Sequence, residues 1–330
     1  MQSGNSSELS MPSLDMSGDS ITVGHGVTTA QRYATLLSTN LGRPMVNRAK
    51  NGDMSADQGQ KAISVKRASG DIATIMVGVN DQRIYQASSI KRGYYIAFLR
   101  RLILDATATV RKTGRSTSIA KTGTWSNTVV NTFGVTTTQN GAKATAWVSG
   151  TAVYIGTIIQ NHPAAKGVAQ VRIDGVLKGT VTCDGTGDGG MTTANGLPYG
   201  PAAFRFGGLS SGNHKVELTV TSANGQNFRL DYIAGNTNQT GVKTFVSNVI
   251  RMNAYGYKKY GGSDSSVSAF NTDIATMISQ LSGDGLQAYL VNNWSAINPA
   301  THLLTDGIHP NRAGHVALYN TFRTAILAQM

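Results

Sequence analysis

The fold is decided by residues 72–77, Ile72-Ala73-Thr74-Ile75-Met76-Val77, which form a short and nearly continuous apolar run. Such a run is typical of a buried strand in a parallel sheet, because helices cover both faces of that kind of sheet. Further strand candidates lie at residues 242–250 and 286–291. Apolar residues recur with helical spacing in four other segments: 28–41, 88–112, 266–281 and 311–329. This alternation predicts an α/β protein with three layers, in which a parallel sheet lies between helices.

Residues 115–235 interrupt this alternation. Short segments with alternating apolar residues replace the helices, and glycine turns such as Asp174-Gly175 and Asn224-Gly225 separate them. Both dipeptides are typical of hairpins, and about 120 residues of short strands predict a β-sandwich or jelly roll. Because the segment lies inside the scaffold, we predict an insertion that splits one domain into residues 9–114 and 236–330. Residues 1–8 read as a flexible polar leader.

Two distant segments offer the parts of a catalytic site. In Asp306-Gly307-Ile308-His309, the aspartate can orient the imidazole as a general base. The best candidate nucleophile is Ser20, which ends a short apolar run just before a helical pattern. A serine on such a turn exposes its Oγ near backbone N–H groups that can hold an oxyanion. The alternative is an ordinary turn at Ser20 and a helix cap at Asp306 and His309.

Two further loops lie between these segments, Asn51-Gly52-Asp53 and Gly78-Val79-Asn80-Asp81, and the second directly follows the apolar run at residues 72–77. The four segments, in this order, resemble the blocks of the SGNH (GDSL-type) hydrolase family. The resemblance implies a flavodoxin-like α/β/α scaffold and an enzyme that needs no metal or organic cofactor.

The resemblance also implies a role for each matching residue. Ser20 would be the nucleophile, His309 the base and Asp306 the carboxylate that orients it. The oxyanion donors would be the Ser20 N–H, the Gly52 N–H and the side-chain amide of Asn80.

The insertion carries a second, looser resemblance. Segments such as Val171-Arg172-Ile173-Asp174-Gly175 and Leu230-Asp231-Tyr232-Ile233 resemble the galactose-binding-like jelly rolls of carbohydrate-binding modules. Aromatic rings in such a module can stack on sugars, which makes four residues candidate substrate contacts: Trp125, Trp147, Tyr154 and Tyr199. Alternating aromatic residues in a sandwich also belong to the core, and this alternative stays open.

The composition limits the classes of molecule that the protein is expected to bind. The net charge of +12 is spread along the 330 residues, and a basic surface attracts an acidic polymer. No nucleic-acid motif is present, so we expect an anionic polysaccharide rather than nucleic acid. No apolar run is long enough for a membrane span, and the N-terminus shows no signal-peptide pattern. The single Cys183 excludes an intrachain disulfide. His302, His309 and His315 are not accompanied by Cys or Glu, so no metal site is predicted.

Together these features predict a serine esterase that removes O-acetyl groups from a polysaccharide through an acyl-enzyme. The insertion and the absence of a long hydrophobic lid segment favour a glycan ester. The alternatives are a lipase or arylesterase of small acyl esters, and a non-catalytic carbohydrate-binding adhesin on a hydrolase scaffold. The Gly/Thr/Asn-rich composition and the polar leader favour an extracellular or virion-associated protein, such as a phage tail fibre or tailspike module. Such a setting is compatible with a homo-oligomer or with assembly into a virion.

Overall fold

The computed structural model describes residues 12–63, 65, 67–108, 111–127, 134–237 and 239–330. The leader predicted at residues 1–8 lies outside the described residues. Within the described part of the chain, no helix combines the length and the apolar character that a membrane crossing requires.

The first part of the scaffold alternates strands and helices, as the sequence predicts. Its elements are β1 (Leu14–Gly18), α1 (Ser20–Val23), α2 (Tyr33–Leu41), β2 (Met45–Asn47), α3 (Ser55–Ala62), β3 (Ile72–Met76), α4 (Val79–Tyr85) and α5 (Ser89–Thr107). The helix predicted at residues 28–41 is interrupted. A 3₁₀ turn at Thr29–Gln31 ends at Arg32, whose extended backbone starts α2. Gly42 ends α2 with a φ of 61°, a left-handed conformation that glycine adopts at little cost.

The insertion is built from antiparallel strands: β4 (Arg111–Thr113), β5 (Ala120–Thr122), β6 (Ser126–Asn127), β7 (Val135–Thr137), β8 (Lys143–Gln160), β9 (Val168–Ile173), β10 (Val176–Thr182), β11 (Tyr199–Val220) and β12 (Phe228–Gly235). Their order in the sheet is β10-β9-β11-β8-β12-β7-β6, with β4 paired to β12 and β5 to β8. Because β4 pairs with β12, the sheet begins at Arg111, before the boundary predicted at residue 115.

Two long strands allow this sheet to form two packed layers. β8 and β11 pair along most of their length, with a shift of register between Gly207 and Gly212 opposite Gly150. Gly150 has a φ of 141°, which residues with a side chain rarely adopt. On one side of the shift, β11 also pairs with β9. On the other side, β8 also pairs with β12. Apolar residues from both halves share one core, among them Ile155, Val171, Leu218 and Leu230. The predicted β-sandwich insertion is therefore confirmed.

The second part of the scaffold completes the parallel sheet. It contains β13 (Lys243–Ser247), α6 (Ala254–Tyr260), α7 (Asp264–Gly283), β14 (Ala288–Val291), α8 (Asn293–Ala296) and α9 (Arg312–Leu327). The strand order is β14-β13-β3-β1-β2, and every pair is parallel. α2 packs with α9, whereas α5 packs with α3 and α7. This architecture confirms the predicted flavodoxin-like α/β/α scaffold.

Besides its own core, the insertion shares buried apolar surface with the scaffold and packs on α5. Tyr94 and Phe98 of α5 form one buried apolar cluster with Ile159 and Ala202 of the insertion. A buried ion network crosses the same interface and centres on Arg101. The insertion is therefore not an appendage on a linker, and removing it would expose buried surface of the scaffold.

Candidate active site

The parallel strands bring four distant segments to one edge of the sheet. Ser20 follows β1, Gly52 lies in the loop after β2, and Asn80 follows β3, whereas His309 lies between α8 and α9. In open α/β sheets this carboxyl edge is where ligands bind. A cleft of about 200 Å³ lies there, lined by Ser20, His25, Asn51, Gly52, Asn80, Arg83, Tyr260, Ile308 and His309.

Ser20, His309 and Asp306 form a continuous chain of hydrogen bonds. Ser20 Oγ lies 2.8 Å from His309 Nε2, and His309 Nδ1 lies 2.6 Å from Asp306 Oδ2. The other Asp306 oxygen accepts hydrogen bonds of 3.0 Å from the N–H groups of Ile308 and His309. With Nδ1 donating to the carboxylate, Nε2 is free to accept the serine proton, as a general base must.

Ser20 itself is less accessible than the sequence predicts. It is only 7% exposed, because its hydroxyl lies against the His309 ring at the floor of the cleft. Its position is fixed by the start of α1, where the Asp19 carboxylate accepts a hydrogen bond of 2.9 Å from the Ile21 N–H. An N-cap of this kind holds the turn that presents the serine.

The surroundings keep His309 neutral and Asp306 charged. Burial lowers the pKa of His309 below its usual value of 6.5; Asp306 opposes this effect, and the nearby His25 and Arg83 add to it. Burial alone would raise the pKa of Asp306, but hydrogen bonds from the His309 ring and from two backbone N–H groups outweigh it and lower that pKa. A neutral imidazole beside an ionised carboxylate can accept a proton near neutral pH.

We expect His25→Ala to move the acid limb of the pH–rate profile to higher pH. The exposed His25 ring has its centroid 4.3 Å from that of His309, and the coulombic effect of His25 lowers the pKa of the base. Because neutral His309 is the working form, activity is lost as the pH falls through its pKa, which lies below 6.5 in the wild type. The measurement is kcat/KM for p-nitrophenyl acetate between about pH 4 and pH 9. An unchanged acid limb would show that His25 does not act on the base.

Three candidate oxyanion donors are available beside this chain. Neither the Ser20 N–H nor the Gly52 N–H donates to any residue in the described part of the chain. Gly52 has a φ of 83°, which favours glycine at this position. Asn80 Nδ2 donates to the Asp53 carbonyl at 2.9 Å, and Asn80 Oδ1 accepts from Arg83 Nε at 3.0 Å. These two bonds fix the orientation of the amide and leave its second N–H for a ligand.

Asn80→Ala should lower kcat by about 10²–10³-fold with little change in KM, because an oxyanion donor acts mainly on the transition state. The measurement is steady-state kinetics on p-nitrophenyl acetate, with a thermal melt to check the fold. Asn40→Ala, which changes an exposed asparagine of α2, is the matched control. If the loss were confined to KM, Asn80 would be a substrate-positioning residue instead.

Buried polar residues outside the catalytic chain hold these loops together. Asp81 accepts hydrogen bonds from the Ser55 N–H at 3.0 Å and from the Ser55 hydroxyl at 2.6 Å. Gln58 accepts from the Gly18 N–H at 3.2 Å. These bonds tie α3 to the segments that carry Ser20 and Asn80. The position of Asp81, next to Asn80, offers a signal in the sequence, whereas Gly18, which donates to Gln58, lies 40 residues away from it.

Among the described residues, one group has the spacing of a metal site. Candidate ligand atoms of His25, Asp306 and His309 lie within 4.8 Å of one another. Asp306 and His309 already bond to each other, and the second ring nitrogen of His309 faces Ser20. A metal on His309 would compete with the serine for the base, so we assign this group to proton transfer. The absence of a metal site stays a prediction.

The four aromatic residues proposed as sugar contacts lie in different surroundings. Tyr154 is fully buried, and its hydroxyl donates to Asp284 at 2.5 Å, so no ring face is free and the prediction is wrong for this residue. Trp125 packs against the sandwich core. Tyr199 is half-buried against α3, where its carbonyl accepts from Gln60. Trp147 is 57% exposed and is the remaining candidate with a largely open ring.

Trp147 lies at the opposite edge of the scaffold from Ser20. It borders a cleft of about 300 Å³ lined by Lys112, Trp147, Val148, Ser149, Asn213, Gly235 and Thr237. Thr237 lies shortly before β13, and the neighbouring Asn236 donates to the carbonyl of Asp284, which precedes β14. This cleft therefore lies toward the amino ends of the parallel strands, whereas Ser20 lies at their carboxyl ends. A five-residue strand alone separates its two ends by about 16 Å.

Comparison with known proteins gives a family match over part of the chain. Residues 17–180 match the model of the GDSL-like lipase/acylhydrolase family. The matched segment contains Ser20, Gly52 and Asn80 and ends before Asp306 and His309. No curated protein matches the chain.

Three solved structures illustrate the similarity. TesA is 12% identical and covers 96% of this chain and 99% of its own, with a TM-score of 0.46. A two-domain esterase (CEX) active on acetylated mannans is 12% identical over 67% of this chain and 89% of its own, with a TM-score of 0.37. CBM35 from Cellvibrio japonicus Abf62 is 19% identical over 38% and 89%, with a TM-score of 0.28. All three TM-scores lie below 0.5, so these likenesses assign neither an activity nor a substrate. Over residues 17–180, the chain is therefore similar to the GDSL-like lipase/acylhydrolase family.

Proposed function

We propose that this protein is a serine esterase that removes O-acetyl groups from a polysaccharide. The observation that carries the proposal is the hydrogen-bonded chain at the floor of the cleft. Its two links, 2.8 Å from Ser20 to His309 and 2.6 Å from His309 to Asp306, are suited to nucleophilic attack by a serine. The proposal includes an extracellular or virion-associated location, which the composition favours.

The reaction follows from the donors and acceptors of the site. Ser20 Oγ attacks the ester carbonyl, and its proton passes to His309 Nε2. Negative charge on the carbonyl oxygen is stabilised by the Ser20 N–H, the Gly52 N–H and the Asn80 amide. The sugar hydroxyl leaves with the proton from His309, which then activates a water molecule. That water attacks the acyl-enzyme and releases acetate and free Ser20.

The size of the cleft favours a short acyl group. Sites for drug-sized ligands are about 300–1,000 Å³, whereas this cleft has about 200 Å³. Six of its nine lining residues have polar or charged side chains, including His25, Asn51 and Arg83, which suits a sugar better than a long alkyl chain. An exposed tryptophan on the insertion offers a second, remote surface for a polymer.

The test compares acyl length and then polymer. We expect purified protein to hydrolyse p-nitrophenyl acetate faster than the butyrate, and the octanoate slowest, and to release acetate from acetylated polysaccharides. Ser20→Ala protein is the control for background hydrolysis. Preference for octanoate would favour a lipase or arylesterase. Binding of polysaccharide without hydrolysis of any ester would favour the non-catalytic adhesin.

Trp147→Ala should weaken binding of the acetylated polysaccharide by up to about tenfold, the value of one lost aromatic contact. Hydrolysis of p-nitrophenyl acetate should not change, because Trp147 and Ser20 lie at opposite edges of the scaffold. A point substitution is used because the insertion shares buried surface with α5 and cannot be removed cleanly. Binding is measured by titration calorimetry in Ser20→Ala protein, and Leu177→Ala, at an exposed apolar residue of β10, is the matched control. Unchanged affinity in the Trp147 variant would assign the sugar contacts elsewhere.

A further inference from the structure

The catalytic cleft contains a guanidinium group without a carboxylate partner. Arg83 of α4 is half-buried and lines the cleft, and its Nε donates to Asn80 Oδ1 at 3.0 Å. Among the described residues, neither terminal nitrogen of Arg83 has a hydrogen-bond acceptor, and no aspartate or glutamate forms an ion pair with it. The guanidinium carbon of Arg83 lies 6.0 Å from the centre of the Tyr260 ring, which lines the same cleft and leaves the terminal nitrogens without an acceptor. The free ends of the Arg83 fork are therefore available to a ligand.

The rest of the cleft has the same electrostatic character. Its lining includes His25 and Arg83 and contains neither aspartate nor glutamate. Asp306, beside the cleft, is already held by His309 and by two backbone N–H groups. The carboxylates next in sequence to three lining residues are buried and bonded elsewhere: Asp19 to the Ile21 N–H, Asp53 to Lys61, and Asp81 to Ser55. A concave site that contains a cation and has no acidic lining residue raises the local concentration of anions, and the whole chain carries a net charge of +12.

We propose that Arg83 forms an anion subsite that binds the carboxylate of a uronic acid unit at or next to the acetylated sugar. This inference rests on the proposed esterase function and names its substrate class, an acetylated acidic polysaccharide. The planar guanidinium presents two terminal donors in a fork that matches a carboxylate. Since Nε holds Asn80, a bound carboxylate would lie within one side chain of an oxyanion donor, close to the reacting ester.

The competing explanation is that Arg83 only orients the Asn80 amide. That role predicts that substitution of Arg83 lowers kcat/KM equally for charged and neutral substrates, because Asn80 acts on the carbonyl oxygen of every ester. A subsite for a carboxylate predicts an additional loss confined to the charged substrate. The ratio of kcat/KM for the charged substrate to that for the neutral one, in wild type and variant, therefore separates the two roles.

The experiment uses acetylated trigalacturonate and the same oligosaccharide with its carboxylates methyl-esterified. Binding is measured by calorimetry in Ser20→Ala protein, so that no turnover is required, and acetate release is measured in protein that retains Ser20. At low salt, we expect the charged oligosaccharide to bind at least about tenfold more tightly than the methyl-esterified one. Arg83→Gln should abolish this preference, and Arg83→Lys should retain part of it. Lys166→Gln removes one exposed charge of the insertion and should leave the preference intact.

Two results would overturn the subsite: equal affinity for both oligosaccharides, or a preference that survives Arg83→Gln. Inhibition of the esterase by glucose 6-phosphate but not by galacturonate would also overturn it, since the anion would then be a phosphate. The proposed function fails differently. If the charged oligosaccharide binds through Arg83 but no ester is hydrolysed, the subsite stands and the esterase assignment falls.

Discussion

Ser20→Ala is expected to lower kcat for p-nitrophenyl acetate by about 10³-fold or more while the protein stays folded, because loss of a serine nucleophile costs several orders of magnitude. Residual hydrolysis would come from the oxyanion donors, which remain in place. The change removes one oxygen, whose hydrogen bond is to the His309 ring. Thermal unfolding should therefore shift little, and the loss of activity should not follow a loss of structure.

The control for this experiment is Ser268→Ala, which removes an exposed serine hydroxyl of α7 far along the chain. A fluorophosphonate probe gives a second readout, since it reacts covalently with an activated serine. Mass spectrometry should find the adduct on Ser20 of the wild type and none on the variant. Activity above about one hundredth of wild type, in a preparation free of wild-type protein, would remove Ser20 from the role of nucleophile.

Local signals in the sequence account for most of the scaffold. Residues 72–77 predict β3 because an apolar run of that length is buried on both faces in a parallel sheet. Because the strands are parallel, the polar segments that come after them lie at one edge of the sheet. The structure therefore brings Ser20 and His309 together although they are far apart in the chain. The roles of these residues stay predictions until they are substituted.

Other features depend on contacts that no local pattern reveals. The first half of β11 contains the small residues Gly200, Ala202, Ala203 and Gly207, and it becomes a strand by pairing with the part of β8 beyond Gly150. Tyr154 resembles a surface aromatic in sequence, but its partner Asp284 lies in the second half of the scaffold. His25 likewise contacts His309 only because the parallel sheet joins the two ends of the chain.

The largest effect on stability is expected from Arg101→Ala. Arg101 is 2% exposed, and its Nε donates to both oxygens of Asp105, at 2.8 and 3.0 Å. Its terminal nitrogen pairs with Asp231 of β12, and the guanidinium carbon lies 4.8 Å from the centre of the Tyr232 ring. Burial alone would lower the pKa of Arg101, but the two aspartates outweigh it and raise that pKa. The charge is therefore kept in a buried site that joins α5 to the insertion.

Removing the guanidinium leaves two buried carboxylates with fewer partners, so we expect a loss of about 3–5 kcal/mol in the free energy of unfolding. The measurement is guanidinium chloride unfolding followed by far-UV circular dichroism. Arg92→Ala is the matched control on the same helix, because Arg92 pairs with Asp273 at a partly exposed site and should cost about 1 kcal/mol or less. Equal losses for the two variants would show that the buried network contributes no more than a surface pair. A second transition in the Arg101 variant would show that this network couples the unfolding of the insertion to that of the scaffold.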